Sequence, residues 1–245
     1  MKKILLSILT VTTLSFGAIA QNVTIPDANF KTYLLGNAAI NTDADPTEIS
    51  VVEAAAFTGT INCANQSISD LTGIEAFPNI TRLYCNQNSL TVLDVSNNTS
   101  LVRLYCTLNS LTTLDVSNNT VLQYLYCYAN DLTGLNVSAN TSLRFLECYS
   151  NDIIALDLSN NSDLRTLDTY QNNLTTLDLS NNGSLTYLNC YGNNLTSLNV
   201  ANGNNSNVIV FGTMGNPNLN CVTVDDVNYS TTSWTSIDAQ TSFSI

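Results

Sequence analysis

From residue 61 onward the apolar positions follow neither a helical period nor a plain alternation. They fall into two linked half-patterns, Leu-x-x-Leu-x-Cys-x-x-Asn and Leu-x-x-Leu-x-Val-x-x-Asn, as in residues 101–109 and 111–119. The pair returns every 21 residues: Cys85, Cys106, Cys127, Cys148 and Cys190 stand on one grid, with Thr169 at its single gap. Ile61, Cys63, Ile68, Leu71 and Ile74 form a first turn on a 22-residue spacing, and Ile80 then opens the regular series continued by Leu101, Leu122, Leu143, Leu164 and Leu185. A fixed period of this size marks a solenoid, one elongated unit whose core grows turn by turn. Within each half-pattern a short extended run turns alternate residues inward. Half-turns of ten or eleven residues leave little room for a helix on the return side. The pattern therefore predicts a β-rich solenoid with two short parallel β ladders.

Two files of leucine should form the core, one through Leu83, Leu104, Leu125, Leu146, Leu167 and Leu188 and the other through Leu93, Leu114, Leu135, Leu156, Leu177 and Leu198. Each buried leucine contributes about 1.5–3 kcal/mol, which offsets the ordering of the chain. The asparagines at 88, 109, 130, 151, 172 and 193 are expected to hydrogen-bond backbone groups inside the turn, at a cost of about 1–3 kcal/mol if a buried group is left unpaired. Equivalent cysteines on adjacent strands stay about 4.8 Å apart with parallel Cα–Cβ vectors, beyond the usual disulfide span. They are expected to pack as small apolar residues.

The ends depart from the repeat. Residues 27–36 have apolar residues at helical spacing, with Pro26 at the start and Gly36 where a left-handed closing residue would sit. A short helix there would lay Phe30 and Leu34 over the first turn, within an N-terminal cap of residues 21–60. In the same cap Asn41, Asp43, Asp45 and Glu53 space oxygen side chains as calcium loops of EF-hand and dockerin-like modules do. Pro46 stands where that loop wants glycine and Glu53 lies one place late, so an Asx-turn explains the same residues. The repeats are expected over residues 61–203. Beyond Gly203 the pattern decays into an expected irregular C-terminal cap, residues 204–245, with Trp234 and Phe243 covering the last apolar face. At the other end Met1-Lys2-Lys3, an apolar run and Ala18-Ile19-Ala20 read as a signal peptide over residues 1–20. The expected product is exported, secreted or at the cell surface, with no transmembrane segment after cleavage.

Composition narrows the chemistry. The net charge is −12, and loss of Lys2 and Lys3 would leave 5 basic against 19 acidic residues, or −14. Such a surface repels phosphate backbones, so no nucleic-acid partner is expected. The chain has no histidine, which excludes His-based triads and His-ligated zinc.

Candidate chemistry lies on the outward positions of the first strand of each turn. Three columns alternate with the buried residues: Arg82, Arg103, Tyr124, Phe145, Thr166 and Tyr187; Tyr84, Tyr105, Tyr126, Glu147, Asp168 and Asn189; and Asn86, Thr107, Tyr128, Tyr149, Tyr170 and Tyr191. Nine of the eleven tyrosines fall here. The corresponding columns of the second strand are small and polar, with Asp94, Asp115, Asn136, Asp157, Asp178 and Asn199 at their centre. Tyrosine gives a rigid contact area with a polar tip, as recognition surfaces do. Strand propensity favours tyrosine on any exposed strand, but does not predict its absence from the second face. The expected ligand-binding set is Arg82, Tyr84, Arg103, Tyr105, Tyr124, Tyr126, Tyr128, Phe145, Tyr149, Tyr170, Tyr187 and Tyr191. A catalytic role would need the Glu147 and Asp168 pair in a cleft, and like-charged neighbours on an open ladder are ordinarily a solvated face.

The repeat resembles the leucine-rich repeat family, in particular its bacterial 21-residue type with a nested half-repeat. Pro26-Asp27-Ala28-Asn29-Phe30 and Phe57-Thr58-Gly59-Thr60 are similar to the caps of secreted leucine-rich proteins of the Bacteroidetes group. The resemblance implies a right-handed array and, as with internalins, adhesion and partner recognition. It points to a non-catalytic extracellular module that binds a protein or carbohydrate through its tyrosine face, needing no cofactor unless calcium. The alternative is a structural spacer or the targeting arm of a larger surface protein or enzyme. Many such relatives carry a C-terminal sorting domain; the sequence stops at Ile245 without one, which argues against that route of anchoring or for a truncated form.

Overall fold

The computed structural model describes residues 21–245. The signal-peptide reading of residues 1–20 lies outside the described residues. In chain order the elements are α1 (Ala28–Leu35), α2 (Val51–Ala56), β1 (Thr60–Asn62), β2 (Arg82–Tyr84), β3 (Arg103–Tyr105), β4 (Tyr124–Tyr126), β5 (Phe145–Glu147), β6 (Thr166–Asp168), β7 (Thr176–Asp178), β8 (Tyr187–Asn189), β9 (Ser197–Asn199), β10 (Val210–Gly212), β11 (Cys221–Thr223), α3 (Val227–Ser233) and β12 (Ser242–Ser244). Eight strands form one parallel sheet in the order β1-β2-β3-β4-β5-β6-β8-β10, and four form a second, β12-β11-β9-β7.

The first ladder is in strict register, Leu83 opposite Leu104 and so on through Leu125, Leu146, Leu167 and Leu188 to Phe211. All these leucines are fully buried. Backbone pairing runs past the three-residue strands, since Cys106 N–H donates to Tyr126 O at 2.9 Å and Leu108 N–H to Tyr128 O at 3.1 Å. The residue after that strand end bends the chain inward with a left-handed backbone, at Gln87, Leu108, Ala129, Ser150 and Gln171, and then at Gly192 and Gly215.

The second ladder is thinner than its sequence pattern suggests. Regular pairing joins β7, β9, β11 and β12, while the earlier turns contribute only single parallel bridges, Asp94 to Asp115 and Asp115 to Asn136. Each of these half-turns closes at once: Asp115 Oδ1 accepts from Ser117 N–H at 2.9 Å, an Asx turn repeated at Asp94, Asn136, Asp157 and Asp178.

Two files of asparagine tie the turns together. Asn109 Nδ2 donates to the carbonyls of Cys85 and Cys106, both at 3.1 Å, and its Oδ1 accepts from Leu90 N–H at 3.0 Å. The expected role at 88, 109, 130, 151, 172 and 193 is thus met, each bridging its own turn and the one before. A second, fully buried file at Asn98, Asn119, Asn140, Asn161 and Asn182 donates across turns in the same way. The cysteine file is free and buried, while Cys221, which stands outside it on β11 of the second sheet, is free and exposed. Burial pushes the thiols of Cys106, Cys148 and Cys190 up to about 12, so they stay protonated and apolar.

Both ends are capped. Asp27 starts α1 by accepting from Asn29 and Phe30 N–H, while its other oxygen accepts from Ser69 and clamps the helix to the first turn. Phe30 and Leu34 are fully buried there. Gly36 departs from expectation: it keeps right-handed angles, φ −73 and ψ −9, because the chain continues as a helical turn in which Asn37 N–H donates to Leu34 O. At the far end the cap is more regular than the decaying pattern suggested. The first ladder extends to β10 and the second to β12, and Trp234 stacks on Phe211 with centroids 3.9 Å apart, flanked edge-on by Phe243 at 5.9 Å.

Candidate functional site

The eight-stranded sheet sets the tyrosines on its outward side, because each buried leucine forces its two neighbours to the opposite face. Register then stacks like on like. In the third column Tyr128, Tyr149 and Tyr170 form a continuous row, with centroids 4.1 and 4.3 Å apart and planes within 8° and 14°. The middle column begins with Tyr84, Tyr105 and Tyr126, at 4.7 and 4.3 Å. In the first column Tyr124 stacks on Phe145 at 4.7 Å, and the Arg103 guanidinium lies 4.2 Å from the Tyr124 centroid, a cation held over a ring. Rings stacked along the ladder spend their faces on each other. They present edges and hydroxyl tips outward.

The middle column changes character at Glu147 and Asp168, which are register partners on β5 and β6. Asp168 is only 9% exposed. Its Oδ1 accepts from Tyr170 N–H and its Oδ2 from Tyr187 Oη, both at 3.4 Å. Burial pushes both carboxyls above their usual range, and the charge of Asp168 adds to the shift at Glu147. No Lys or Arg answers them: among the described residues the one ion pair is Lys31 with Glu48, at 3.0 Å in the N-terminal cap. The phenols of Tyr126 and Tyr149 are likewise raised by burial and by neighbouring tyrosines.

All twelve residues singled out from the sequence lie on or beside this face, though not as one surface. Arg82 is exposed, Tyr191 stands half-exposed beyond the Tyr128 row, and Tyr187 turns its hydroxyl to Asp168. The sequence set omitted Glu147 and Asp168, whose burial alternation alone does not reveal.

Asn41, Asp43, Asp45 and Glu53 share one stretch of the cap, where carboxylate oxygens of Asp43, Asp45 and Glu53 accept hydrogen bonds from the protein and Asn41 Oδ1 is buried without a partner. Glu53 Oε1 accepts from Thr42 N–H, Thr42 Oγ1 and Asp43 N–H, and its Oε2 from Ser50 N–H and Oγ. Asp43 and Asp45 close Asx turns on Asp45 and Thr47, and the Asn41 amide donates to Leu35 and Asp45 carbonyls. Among the described residues no group of three or more acidic, cysteine or histidine side chains has metal-holding geometry. Glu53 instead belongs to α2, a helix not expected from the spacing, whose capping box it forms with Ser50.

The second face offers shallow hollows lined by small residues such as Ser96, Thr113 and Asp115. Hydrogen bonds from Ser96 and Ser117 hold the Asp94 and Asp115 carboxyls below their usual range, so this face stays ionised and solvated.

No protein-family model matches the chain. Over 74 residues, 30% of the chain, it is 42% identical to internalin J of Listeria monocytogenes, and it spans 8% of that protein's length. Among solved structures, internalin C2 of Listeria monocytogenes superposes with a TM-score of 0.58 at 20% identity, covering 79% of this chain and 98% of that one. The fold is a leucine-rich repeat solenoid. An internalin (inlF) of the same organism gives 0.57 at 21% identity over 90% and 77% of the two chains, and a leucine-rich repeat protein of Leptospira interrogans gives 0.56 at 21% over 72% and 52%. The leucine-rich repeat solenoid thus accounts for the ladder register and the buried leucine files. Among the described residues no helix is long and apolar enough to cross a membrane.

Proposed function

We propose that this leucine-rich repeat solenoid is a non-catalytic recognition module that holds a protein partner at the cell exterior on the tyrosine face of its first sheet. The observation that carries the reading is the contrast between two ladders wound by one chain. One shows stacked tyrosines, the other small polar residues in Asx turns. The second ladder is thinner, but its paired strands β7, β9 and β11 also carry no aromatic residue, so strand propensity alone does not account for the difference. Stacked rings with outward edges and hydroxyls favour a protein over a sugar, because a sugar ring packs on an open aromatic face and the faces inside the stacked rows are already covered. The likeness to internalin J and the signal sequence read at residues 1–20 support a place outside the cell. Calcium takes no part in this reading.

The test is a binding screen against purified exterior proteins and a glycan array, with calcium and with chelator. Saturable protein binding that chelator leaves unchanged, and that is lost in a Tyr126→Ser, Tyr128→Ser, Tyr149→Ser variant of retained fold, is the expected result. Binding that survives the triple substitution would remove the tyrosine face from the account; hits confined to glycans would replace the protein partner.

A further inference from the structure

The tyrosine face contains one feature that its own residues leave incomplete. Glu147 and Asp168 are neighbours across β5 and β6, the first half-buried and the second buried, and no basic side chain among the described residues pairs with either. The Glu147 carboxylate is not hydrogen-bonded by any described residue, while Asp168 is met by neutral donors alone, Tyr170 N–H and Tyr187 Oη at 3.4 Å and the Asn189 side chain. A like-charged pair in this setting is unfavourable in the free protein and becomes favourable when a cation is placed against it. Its surroundings are aromatic: Tyr126 precedes it in the same column, and Tyr149 and Tyr170 flank it in the next. One column away the same sheet already seats a guanidinium over a ring, Arg103 on Tyr124.

We infer that Glu147 and Asp168 are the anchor for a lysine or arginine side chain of the partner protein, its charged head on the two carboxylates and its stem along the tyrosine edges. The inference rests on the reading that this face docks a protein, and it supplies the partner's chemistry. A metal ion fits less well, since side chains leaving parallel strands lie side by side and do not converge on a point, and no metal-holding group is found among the described residues. A long organic cation tolerates that geometry. It also gains from ring edges and hydroxyls that desolvate its stem, and charge complementarity at the centre of a face fixes the orientation of the partner.

The experiment is a nuclear magnetic resonance titration of the protein with three probes: acetyl-Gly-Lys-Gly-amide, its arginine counterpart, and its norleucine counterpart, which keeps the stem and lacks the charge. Saturable shifts confined to residues 147–149 and 168–170, seen with lysine and arginine and not with norleucine, are expected. Glu147→Gln with Asp168→Asn should weaken binding at least about tenfold, roughly the effect of losing one good charged contact. Asp94→Asn with Asp115→Asn removes the same charge from the second face and should leave affinity within about twofold. Equal binding of norleucine, an unchanged Gln/Asn variant, or equal weakening by the second-face variant would each overturn the anchor. A partner that depends on the tyrosines but ignores Glu147→Gln with Asp168→Asn would also remove the anchor and keep the docking face. Localised lysine binding with no protein partner would keep the cation site and remove the docking reading.

Discussion

Both oxygens of Glu53 are filled by donors from its own cap, three on one and two on the other. Burial alone would raise this carboxyl, but the hydrogen bonds from Ser50, Asp43 and Thr42 outweigh it and hold the pKa down to about 2. A depressed carboxylate contributes stability that is full above its unfolded value and is lost as pH falls through the folded one. Glu147 and Asp168 have the opposite sign. Their raised values mean that stability declines as pH rises from the ordinary carboxylate range through the folded values. The N-terminal cap of the wild-type protein should therefore loosen between about pH 4.5 and pH 2, and Glu53→Gln should be looser at neutral pH with little further change on acidification. Glu147→Gln should raise the melting temperature at neutral pH, and thermal unfolding followed across pH checks both. Ser50-x-x-Glu53 has the spacing of a capping box, although no helix was expected there. Its spacing from Asp43 and Asp45 also fits an imperfect calcium loop, and one sequence cannot say which hydrogen bonds a carboxylate will spend.

Turn closure is where the elements carry strain. Gln87, Leu108, Ala129, Ser150 and Gln171 hold φ between 52° and 57°, a region that costs a residue with a Cβ roughly 1–2 kcal/mol. They are held there because each donates its N–H to the next turn, as Ala129 does to Tyr149 O at 3.0 Å, and because the asparagine that follows locks the bend. Gly192 and Gly215 occupy the same place without that cost. Gly192→Ala should destabilise by about 1 kcal/mol, since its new Cβ would meet only ordinary contacts beyond 3.7 Å. Gly215→Ala should cost more, because its Cβ would lie 3.1 Å from the Gly192 backbone nitrogen. Chemical denaturation of the two variants ranks them, and equal costs would refute the steric argument. The 21-residue beat made the ladders and their columns legible because alternation dictates which side chain turns inward. The left-handed file was not legible, since five of its positions carry residues that give no sign of it. Ring-to-ring stacking was hidden for a related reason: alternation assigns a face but not a side-chain rotamer.

At the scale of the molecule each turn packs mainly on its two neighbours, so stability is propagated along the array and the ends must be sealed. Trp234 seals the last turn, 4% exposed and stacked on Phe211. Trp234→Ala should cost about 3–5 kcal/mol locally, and hydrogen exchange should show protection falling first in β10, β11 and β12 while β3 to β5 keep theirs. A uniform loss along the chain would mean that the array unfolds as one unit and not from its end. The indole's role was readable from the sequence as the one tryptophan of the chain, placed after the last repeat together with Phe243, whereas the strands around it were obscured by insertions that break the period. The same end-to-end order has an optical consequence for the phenol row Tyr128, Tyr149 and Tyr170. Rings this close and this parallel pass an excitation along the row with their transition dipoles nearly aligned, so the emission keeps its polarisation however far the excitation travels. A visitor that tilts a single ring changes the signal of the whole row, and the face carries its own reporter of occupancy.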